Sequence, residues 1–467
     1  MSMAVLPVAA AHWSDQAPVL VLGGGACGLS AALAVRERGV RVVVLERTAE
    51  PQGSTSMSSG LIPAPGSALQ RAAGIEDDAQ RLTDDIMART GGTADLVVTR
   101  ACAVAAGPVI DWLASRWLIP LEFAPNWEAL GHSRSRMHRV PGGAGDDLMR
   151  HLVAAARDAG VEIVGEAHVT ELFVAEDGSV AGARARMAGG GVRDIASATM
   201  VLATSGFGAN AGMVREFLPE IADATYYGWD CNLGDAVRWG RALGAQLGDM
   251  DAYQGHPALA DPQRISLHFE GIVAGGVQVN RLGERFYDEA DNPSSGGVHV
   301  LRQPGKFAFV IYGQDHYAEA LTRKRTQIAD DMGAILHDST VAGLAARIGV
   351  PAAALEETLR ETEWLAANGV PDRFGRRFGP GHRMRPPFHA IRVRGALFHT
   401  QGGLAVDGSA RVLRGDGTPF SNLFAGGGAA RGISGGGARG YLPGNGLLTA
   451  LCLGRIAGDT AARQAAG

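Results

Sequence analysis

Residues 21–46 read VLGGGACGLSAALAVRERGVRVVVLE, and this stretch decides the fold. A short apolar run at 18–22 (PVLVL) breaks into GGGACG. LSAALAVRERG then has helical spacing and stops at Gly39, and VRVVVLE is a second apolar run. Strand, glycine turn, helix and strand make a βαβ unit with a parallel strand pair. Gly23, Gly25 and Gly28 fill a G-x-G-x-x-G pattern. The first glycine permits the tight turn, the second lets a pyrophosphate approach the backbone, and the third lets helix and strand pack closely. The helix N-terminus offers free N–H groups and a positive dipole end to phosphates. Glu46 ends the second run, where an acid accepts from ribose hydroxyls and disfavours a 2′-phosphate. A glycine turn of purely structural use is the alternative; the strand, helix, second strand and acid together argue for dinucleotide binding.

The next segment, 52–60, reads QGSTSMSSG. Small hydroxyl residues at that point can thread under a flavin and its diphosphate, so FAD is expected rather than NAD. Further along, 145–159 has helical spacing; 161–165, 168–176 and 180–187 read as strands with a turn at Asp177-Gly178; and 198–204 (ATMVLAT) is a buried strand ending in the glycine turn SGFGAN. From 251 to 398 the regular alternation gives way to short strands, helical pieces and an arginine-rich loop. Residues 422–427 (NLFAGG) return to strand, then glycine loop, then helix. Ten of the twenty-one residues from 426 to 446 are glycine. Glycine there is costly unless something must come very close to the backbone. The expected fold class is α/β: a dinucleotide-binding domain over 1–250 and 399–467, with a second domain inserted at 251–398.

The bulk numbers exclude other classes. The chain has 467 residues, 46% apolar and 19% charged, with net charge −5. That allows two or three domains, and nothing global points to nucleic acid. No apolar run is expected to reach the ~18 residues of a membrane span. The first thirteen residues, MSMAVLPVAAAHW, lack a basic n-region and are expected to be a loose tail rather than a signal peptide. Cys27, Cys102, Cys231 and Cys452 lie far apart without CxxC, which argues against disulfides or a metal centre and fits a reducing cytoplasm.

Seven ordered segments carry a family resemblance: residues 21–46, GSTSMSSGLIPAPG, VLATSGFGAN, NLGDAVRWGRALGA, VNRLGERFYDE, HTQGGLAVD, and LFAGGGAARG with GNGLLTALCLGRIAG. With them the chain resembles the fumarate reductase and 3-ketosteroid dehydrogenase group of FAD flavoproteins over nearly its whole length. The resemblance implies a Rossmann-like FAD-binding domain with an inserted α+β capping domain at 251–398, FAD bound in extended form, and an active site between the two domains. It places Gly23, Gly25 and Gly28 at the diphosphate, Glu46 at the adenosine ribose, and Ser54, Thr55 and Ser56 beside diphosphate and flavin. Val169 is expected to offer its backbone to adenine, Thr204 and Gly206 to line the cofactor, and Asp235 to sit nearby. Asn445, Leu447 and Leu448 fall at the flavin ring, and the helix beginning near Gly446 points its N-terminus at the pyrimidine end, favouring negative charge there. Two departures matter. Gly428 stands where the family often has a glutamate, and no histidine occurs in the serine-rich segment where covalent attachment is made, so non-covalent FAD is expected. No haem-binding CxxCH is present.

The resemblance also frames the chemistry. Fumarate reductases deliver a proton from an arginine whose place here is Pro293, and a second substrate arginine corresponds to Tyr441. Two substrate histidines, His256 and His399, match. Arg439 and Arg431 are candidate substitutes as a carboxylate clamp. Ketosteroid dehydrogenases also carry a tyrosine before a PGxG-like turn, where a phenol and a backbone N–H polarise the ketone oxygen while a base removes the α-proton and the β-hydride goes to flavin. Here Tyr441 is expected as electrophile or base, with the Gly446 N–H as second donor; Tyr226, Tyr227, Tyr253 and Tyr287 are alternative bases. Tyr441 as a packing ring, His399 as a flavin-positioning residue and His256 as a structural histidine are the plainer readings. The basic stretches 373–394 and 134–139 read as solvated loop faces or intersubunit patches, or as collectors of an anionic substrate. The expected function is FAD-dependent desaturation α,β to the carbonyl of a cyclic ketone or keto acid, of the 4-oxocyclohexanecarboxylate type. An enoate reductase of the fumarate or urocanate type is the reverse alternative, and a flavin-binding protein without turnover a third. Expected partners are a small carbonyl substrate and an electron carrier that the sequence does not identify; no nucleotide motif for NAD(P)H is evident, and neither nucleic acid nor membrane is expected as a partner.

Overall fold

The computed structural model describes residues 4–125 and 130–466. The chain divides into two compact units: Met1–Phe217, Gly228–Tyr253 and His399–Gly467 form the first, and Leu218–Tyr227 with Gln254–Phe398 the second.

The elements of the first unit that carry the site are β1 (Val5–Pro7), β2 (Trp13–Leu22), α1 (Ala26–Glu37), β3 (Val42–Leu45), α2 (Ser54–Met57), α3 (Leu96–Ser115), α4 (Gly145–Asp158), β4 (Glu162–Val164), β5 (His168–Val174), β6 (Val180–Arg186), β7 (Val192–Leu202), α5 (Asp235–Leu243), β8 (Pro419–Ala425) and α6 (Asn445–Ala466). The main sheet runs β1-β5-β6-β7-β2-β3-β4, with β8 paired to the end of β7. From β7 through β2 and β3 to β4 the pairing is parallel. Val19 to Leu22 and Val42 to Leu45 are buried on both faces, as unbroken apolar runs in a parallel sheet must be. Helix α1 is buried from Ala26 to Val35. Its small residues let α6 come close: a Cβ on Gly454 would stand 2.3 Å from the Cys27 carbonyl oxygen, and Ser30 Oγ donates to the Leu451 carbonyl at 2.9 Å.

In the second unit the strand Phe388–Thr400 pairs antiparallel with Ala308–Tyr312 and Ile335–Asp338, and parallel with Thr225–Tyr226. Side chains alternate across this sheet: Phe309 and Ile311 enter one core with Leu344 and Leu355, while Ala308, Val310 and Tyr312 enter another with Leu267 and Ile391. Both faces are therefore covered.

Four expectations are corrected. The start of the chain is no loose tail where it is described, because Val5 to Pro7 pair in parallel with Leu172 to Val174 on β5. Helix α3 is long and apolar enough to cross a membrane by length and composition; Arg100 and Asp111 interrupt its apolar run, and Val98, Cys102, Ile110 and Leu113 lie in the core. Neither basic stretch is simply a solvated face. Arg136 is 0% exposed and donates to Asp77 at 2.8 Å and Asp85 at 2.5 Å. Arg376 is buried against Glu289 at 2.8 Å and the carbonyls of Gly276 and Ile272, beside Arg285 paired with Glu289 and Asp372. A buried guanidinium needs such partners, since desolvation otherwise costs several kcal/mol. Arg431, a candidate substrate clamp, is held by Asp249 at 2.7 and 3.0 Å and by Asp95 at 2.8 Å. Its fork is committed within the first unit.

Candidate active site

The glycine loop lies between the end of β2 and the start of α1. The Gly23 N–H donates to the Leu45 carbonyl at 2.8 Å. Glu46 is buried, and its carboxylate ties the loop together: Oε2 accepts from the Gly24 N–H at 2.7 Å, and Oε1 accepts from the Thr48 N–H and hydroxyl, both at 2.9 Å. This clamping role is one the sequence did not show. The three glycines differ in their reasons. A Cβ on Gly23 would meet the Ala203 carbonyl oxygen at 2.4 Å, and one on Gly28 would meet the Gly23 carbonyl oxygen at 1.9 Å. A Cβ on Gly25 would find nothing nearer than 4.0 Å, at Gln52 O and Thr55 Oγ1. So Gly23 and Gly28 are demanded by the chain itself, while Gly25 borders open space. Gly25 is also the N-cap of α1 and offers no capping side chain, so first-turn N–H groups are available to an anion. Thr55 Oγ1 takes one of them, accepting from Ala26 N–H at 3.3 Å.

Around this loop the other predicted residues sort into three behaviours. Ser54 Oγ accepts from Asn232 at 2.8 Å. Val169 sits on β5 two residues after Ala167, whose N–H donates to the Glu46 carbonyl at 2.8 Å, so its backbone is brought beside the clamp. Asp235 pairs with Arg47 and, at 3.2 Å, with Arg238. Gly206 packs inward: a Cβ there would meet Thr400 Oγ1 at 2.1 Å. Leu447 and Leu448 turn their side chains into the core, so each has only its backbone to offer a ligand. Among the described residues, Ser56 Oγ, Thr204 Oγ1 and Asn445 Oδ1 are buried with no hydrogen-bond partner in the protein. Buried polar groups are rarely left so. All three belong to the set expected at the cofactor, and together with the open side of Gly25 they fit FAD. Gly428 has no room for a glutamate on this backbone, since its Cβ would already stand 2.8 Å from the Gly206 nitrogen.

At the start of α6 a second cluster forms. The His399 ring lies against Gly446, whose Cβ would be 3.3 Å from His399 Cε1, and packs edge-on to Tyr441 with ring centroids 5.8 Å apart. The Gln401 side-chain nitrogen is 2.8 Å from His399 Nδ1; its oxygen accepts from Ser434 Oγ at 3.1 Å, and Ser434 Oγ accepts from Asn445 Nδ2 at 3.5 Å. Gln401 and Ser434 were missed from the sequence, although Gln401 lies in the HTQGG segment read only for its histidine. Burial pushes the Tyr441 phenol up to about 12, partly offset by the Gly444 N–H, and burial lowers His399 to about 4. At neutral pH both are uncharged, a phenol and an imidazole.

His256 belongs to the second unit. Its Nε2 donates to the Leu267 carbonyl at 2.9 Å, its ring stacks on Phe398 at 4.8 Å, and burial lowers it to about 4. Among the alternative bases, Tyr287 donates to Gln278 Oε1 at 2.5 Å and stacks on His299, and burial raises its phenol well above the ordinary value. Tyr227 packs against Phe398, the Tyr226 carbonyl accepts from Arg264, and Tyr253 is fully buried in the first unit. Pro293 opens the helix Pro293–Leu301, capped by the Asn292 side chain on the Ser294 and Ser295 N–H groups.

These histidines carry a stability prediction. His132, His138, His256 and His399 are all lowered to about 4, with desolvation the largest cause in each. A histidine whose folded pKa lies below its unfolded value of about 6.5 takes up a proton on unfolding between those two values. Stability is therefore intact above about pH 6.5 and falls as pH drops toward 4, by at most about 1.4 kcal/mol per pH unit for each such group. A thermal-melt series from pH 7.5 to 4 should show Tm descending below pH 6.5, and a flat profile would contradict the burial of these rings.

Residues 18–447 match the family model described as FAD binding domain. A probable fumarate reductase, Ifc3, of Shewanella frigidimarina is 31% identical over 98% of this chain and 76% of its own length. The 4-oxocyclohexanecarboxylate 2-dehydrogenase of Sinomonas cyclohexanicum is 26% identical over 96% of this chain and 93% of its own length. Among solved structures, the 3-ketosteroid-Δ4-(5α)-dehydrogenase of Rhodococcus jostii RHA1, in complex with 4-androstene-3,17-dione, aligns with TM-score 0.79 at 26% identity, covering 98% of this chain and 99% of that one.

Proposed function

The chain belongs to the FAD-binding domain family and is an FAD-dependent oxidoreductase, and on that premise we propose that it desaturates a cyclic ketone or keto acid between the carbons α and β to the carbonyl. The observation that carries this reading is the cluster at the start of α6: an uncharged Tyr441 phenol, where the resemblance puts an arginine in the reductases of the family, packed edge-on to His399, whose ring in turn lies against Gly446. Bound FAD supplies the hydride acceptor. The chain's own residues do the rest. The α1 N-terminus and the Glu46-clamped loop hold the diphosphate. The Tyr441 O–H and the Gly446 N–H donate to the ketone oxygen, which draws charge from the α-carbon and weakens its C–H bond. Because the Tyr441 phenol holds its proton up to about pH 12, it acts as a donor and not as the base. A second tyrosine or a histidine takes the α-proton, a general-base role worth roughly 10²–10⁴-fold. FAD is held without a covalent bond, since 52–60 contains no histidine; acid precipitation should release all the flavin.

The reverse reading, reduction of an enoate, draws on the 31% identical fumarate reductase relative. Against it stands Arg431, whose guanidinium is occupied by Asp249 and Asp95 and so does not replace the missing carboxylate clamp. The deciding experiment is anaerobic. Cyclohexanone-type ketones and 4-oxocyclohexanecarboxylate are added to the oxidised yellow protein without an acceptor. Bleaching of the flavin band is the expected result. No bleaching, together with reoxidation of dithionite-reduced protein by fumarate or urocanate, would establish the reductase instead.

A further inference from the structure

Arg136, buried among aspartates, is more than a structural ion pair, because it reaches the Tyr441 turn through one histidine. Arg136 Nη1 lies 3.3 Å from His132 Nδ1, and His132 Nε2 lies 3.0 Å from the Pro443 carbonyl oxygen. A guanidinium has no lone pair to offer, so it donates and Nδ1 accepts. The ring proton of His132 is therefore on Nε2 and is donated to Pro443. The Pro443 carbonyl and the Gly444 N–H belong to one peptide group in the turn that follows Tyr441, and that N–H partly offsets the burial that raises the phenol. Gly444 has φ +88°, a conformation only glycine adopts without strain, so this peptide plane is set by what grips it. The neighbouring backbone agrees: a Cβ on Gly131 would lie 3.6 Å from the Leu442 side chain, which brings the two segments side by side.

We propose that His132 is a positioning residue for Tyr441: it fixes the Pro443–Gly444 peptide so that the Gly444 N–H faces the phenolic oxygen and the phenol's own proton is left to point at substrate. This rests on the donor role given to Tyr441 above. Hydrogen bonds in such a chain strengthen one another, so a phenol that accepts from Gly444 is a better donor. Asp77 and Asp85 balance the Arg136 charge, which keeps the chain aligned, while the charge of Arg136 itself helps hold His132 neutral.

The test compares His132→Leu with His132→Gln in the FAD-loaded protein. A glutamine can accept from Arg136 with its oxygen and donate to Pro443 with its nitrogen; a leucine can do neither. In the leucine variant, kcat should fall roughly tenfold or more with KM within about twofold, as expected when a reacting group is misplaced, and amide exchange in the peptide spanning 440–447 should accelerate. The glutamine variant should recover both. Should the leucine variant lose its flavin, His132→Asn, too short to reach Pro443, takes its place. Unchanged kcat overturns the proposal, as does faster exchange with kcat intact, or a kcat loss that glutamine does not restore. If the wild-type protein oxidises no ketone, the reading of its function fails separately, and the exchange comparison alone judges whether His132 holds the turn.

Discussion

Tyr441→Phe should slow anaerobic flavin reduction by ketone on the order of 10²–10³-fold, the usual cost of removing one donor to a developing oxyanion. The change deletes a single oxygen. The phenylalanine ring keeps the edge-on packing against His399, so flavin content and Tm should stay at wild-type values. The loss should fall on kcat, because the hydrogen bond strengthens as charge moves onto the carbonyl oxygen. The pH profile separates the two roles open to a tyrosine. A phenol titrating near 12 and acting as donor gives no alkaline decline below about pH 11. A phenol acting as base would give a rate that rises about tenfold per pH unit across the neutral range, because its ionised fraction does so. A variant retaining a third or more of wild-type activity would remove Tyr441 from the chemistry and return it to a packing role.

Gly28→Ala and Gly25→Ala should fail in different ways. The methyl group on residue 28 would stand 1.9 Å from the Gly23 carbonyl oxygen and 3.2 Å from Val21 Cγ1. Neither can yield without separating α1 from the first turn. Overpacking of this kind typically costs 1–3 kcal/mol, and a backbone clash lies at or beyond the upper end. This variant should lose both flavin and several degrees of Tm. At residue 25 the backbone has φ −71°, which alanine adopts freely, and the new methyl finds nothing within 4.0 Å. The flavin-free Gly25→Ala protein should therefore melt like flavin-free wild type, while its affinity for FAD falls. Absorbance at the flavin band relative to the protein band, read beside melts of flavin-stripped samples, distinguishes the two. Equal tolerance of both substitutions would refute the distinction between a glycine demanded by packing and one that borders the ligand.

Much of the first unit was legible in order along the chain. The runs PVLVL and VRVVVLE are continuous and apolar because both faces of a parallel strand are buried, and that composition is visible in a window of five to seven residues. The glycine loop, the helix after it and Glu46 are likewise local. The family resemblance carried His399, Tyr441 and Gly446 to the same neighbourhood, and the fold packs them at the start of α6.

Charge was the least legible property. Arg136, Arg376 and Arg431 all lie in stretches that read as solvated or substrate-facing, and all three are occupied by carboxylates far along the chain. Asp95 is 336 residues from Arg431, and Asp77 is 59 residues from Arg136. No local pattern marks such pairs, because what fixes them is the desolvation of a guanidinium in one particular interior. The same holds for Glu46, placed by spacing at a ribose and found also to clamp Gly24, and for His132, whose grip on the Pro443–Gly444 peptide spans 311 residues. Periodicity and glycine spacing are short-range consequences of backbone geometry, so the sequence alone determined the βαβ unit and the cofactor class, while the family resemblance supplied the candidates gathered at the start of α6. Which charges remain available to a substrate, and what holds the tyrosine's turn in place, depend on contacts across the folded chain, and only the tertiary structure decided them.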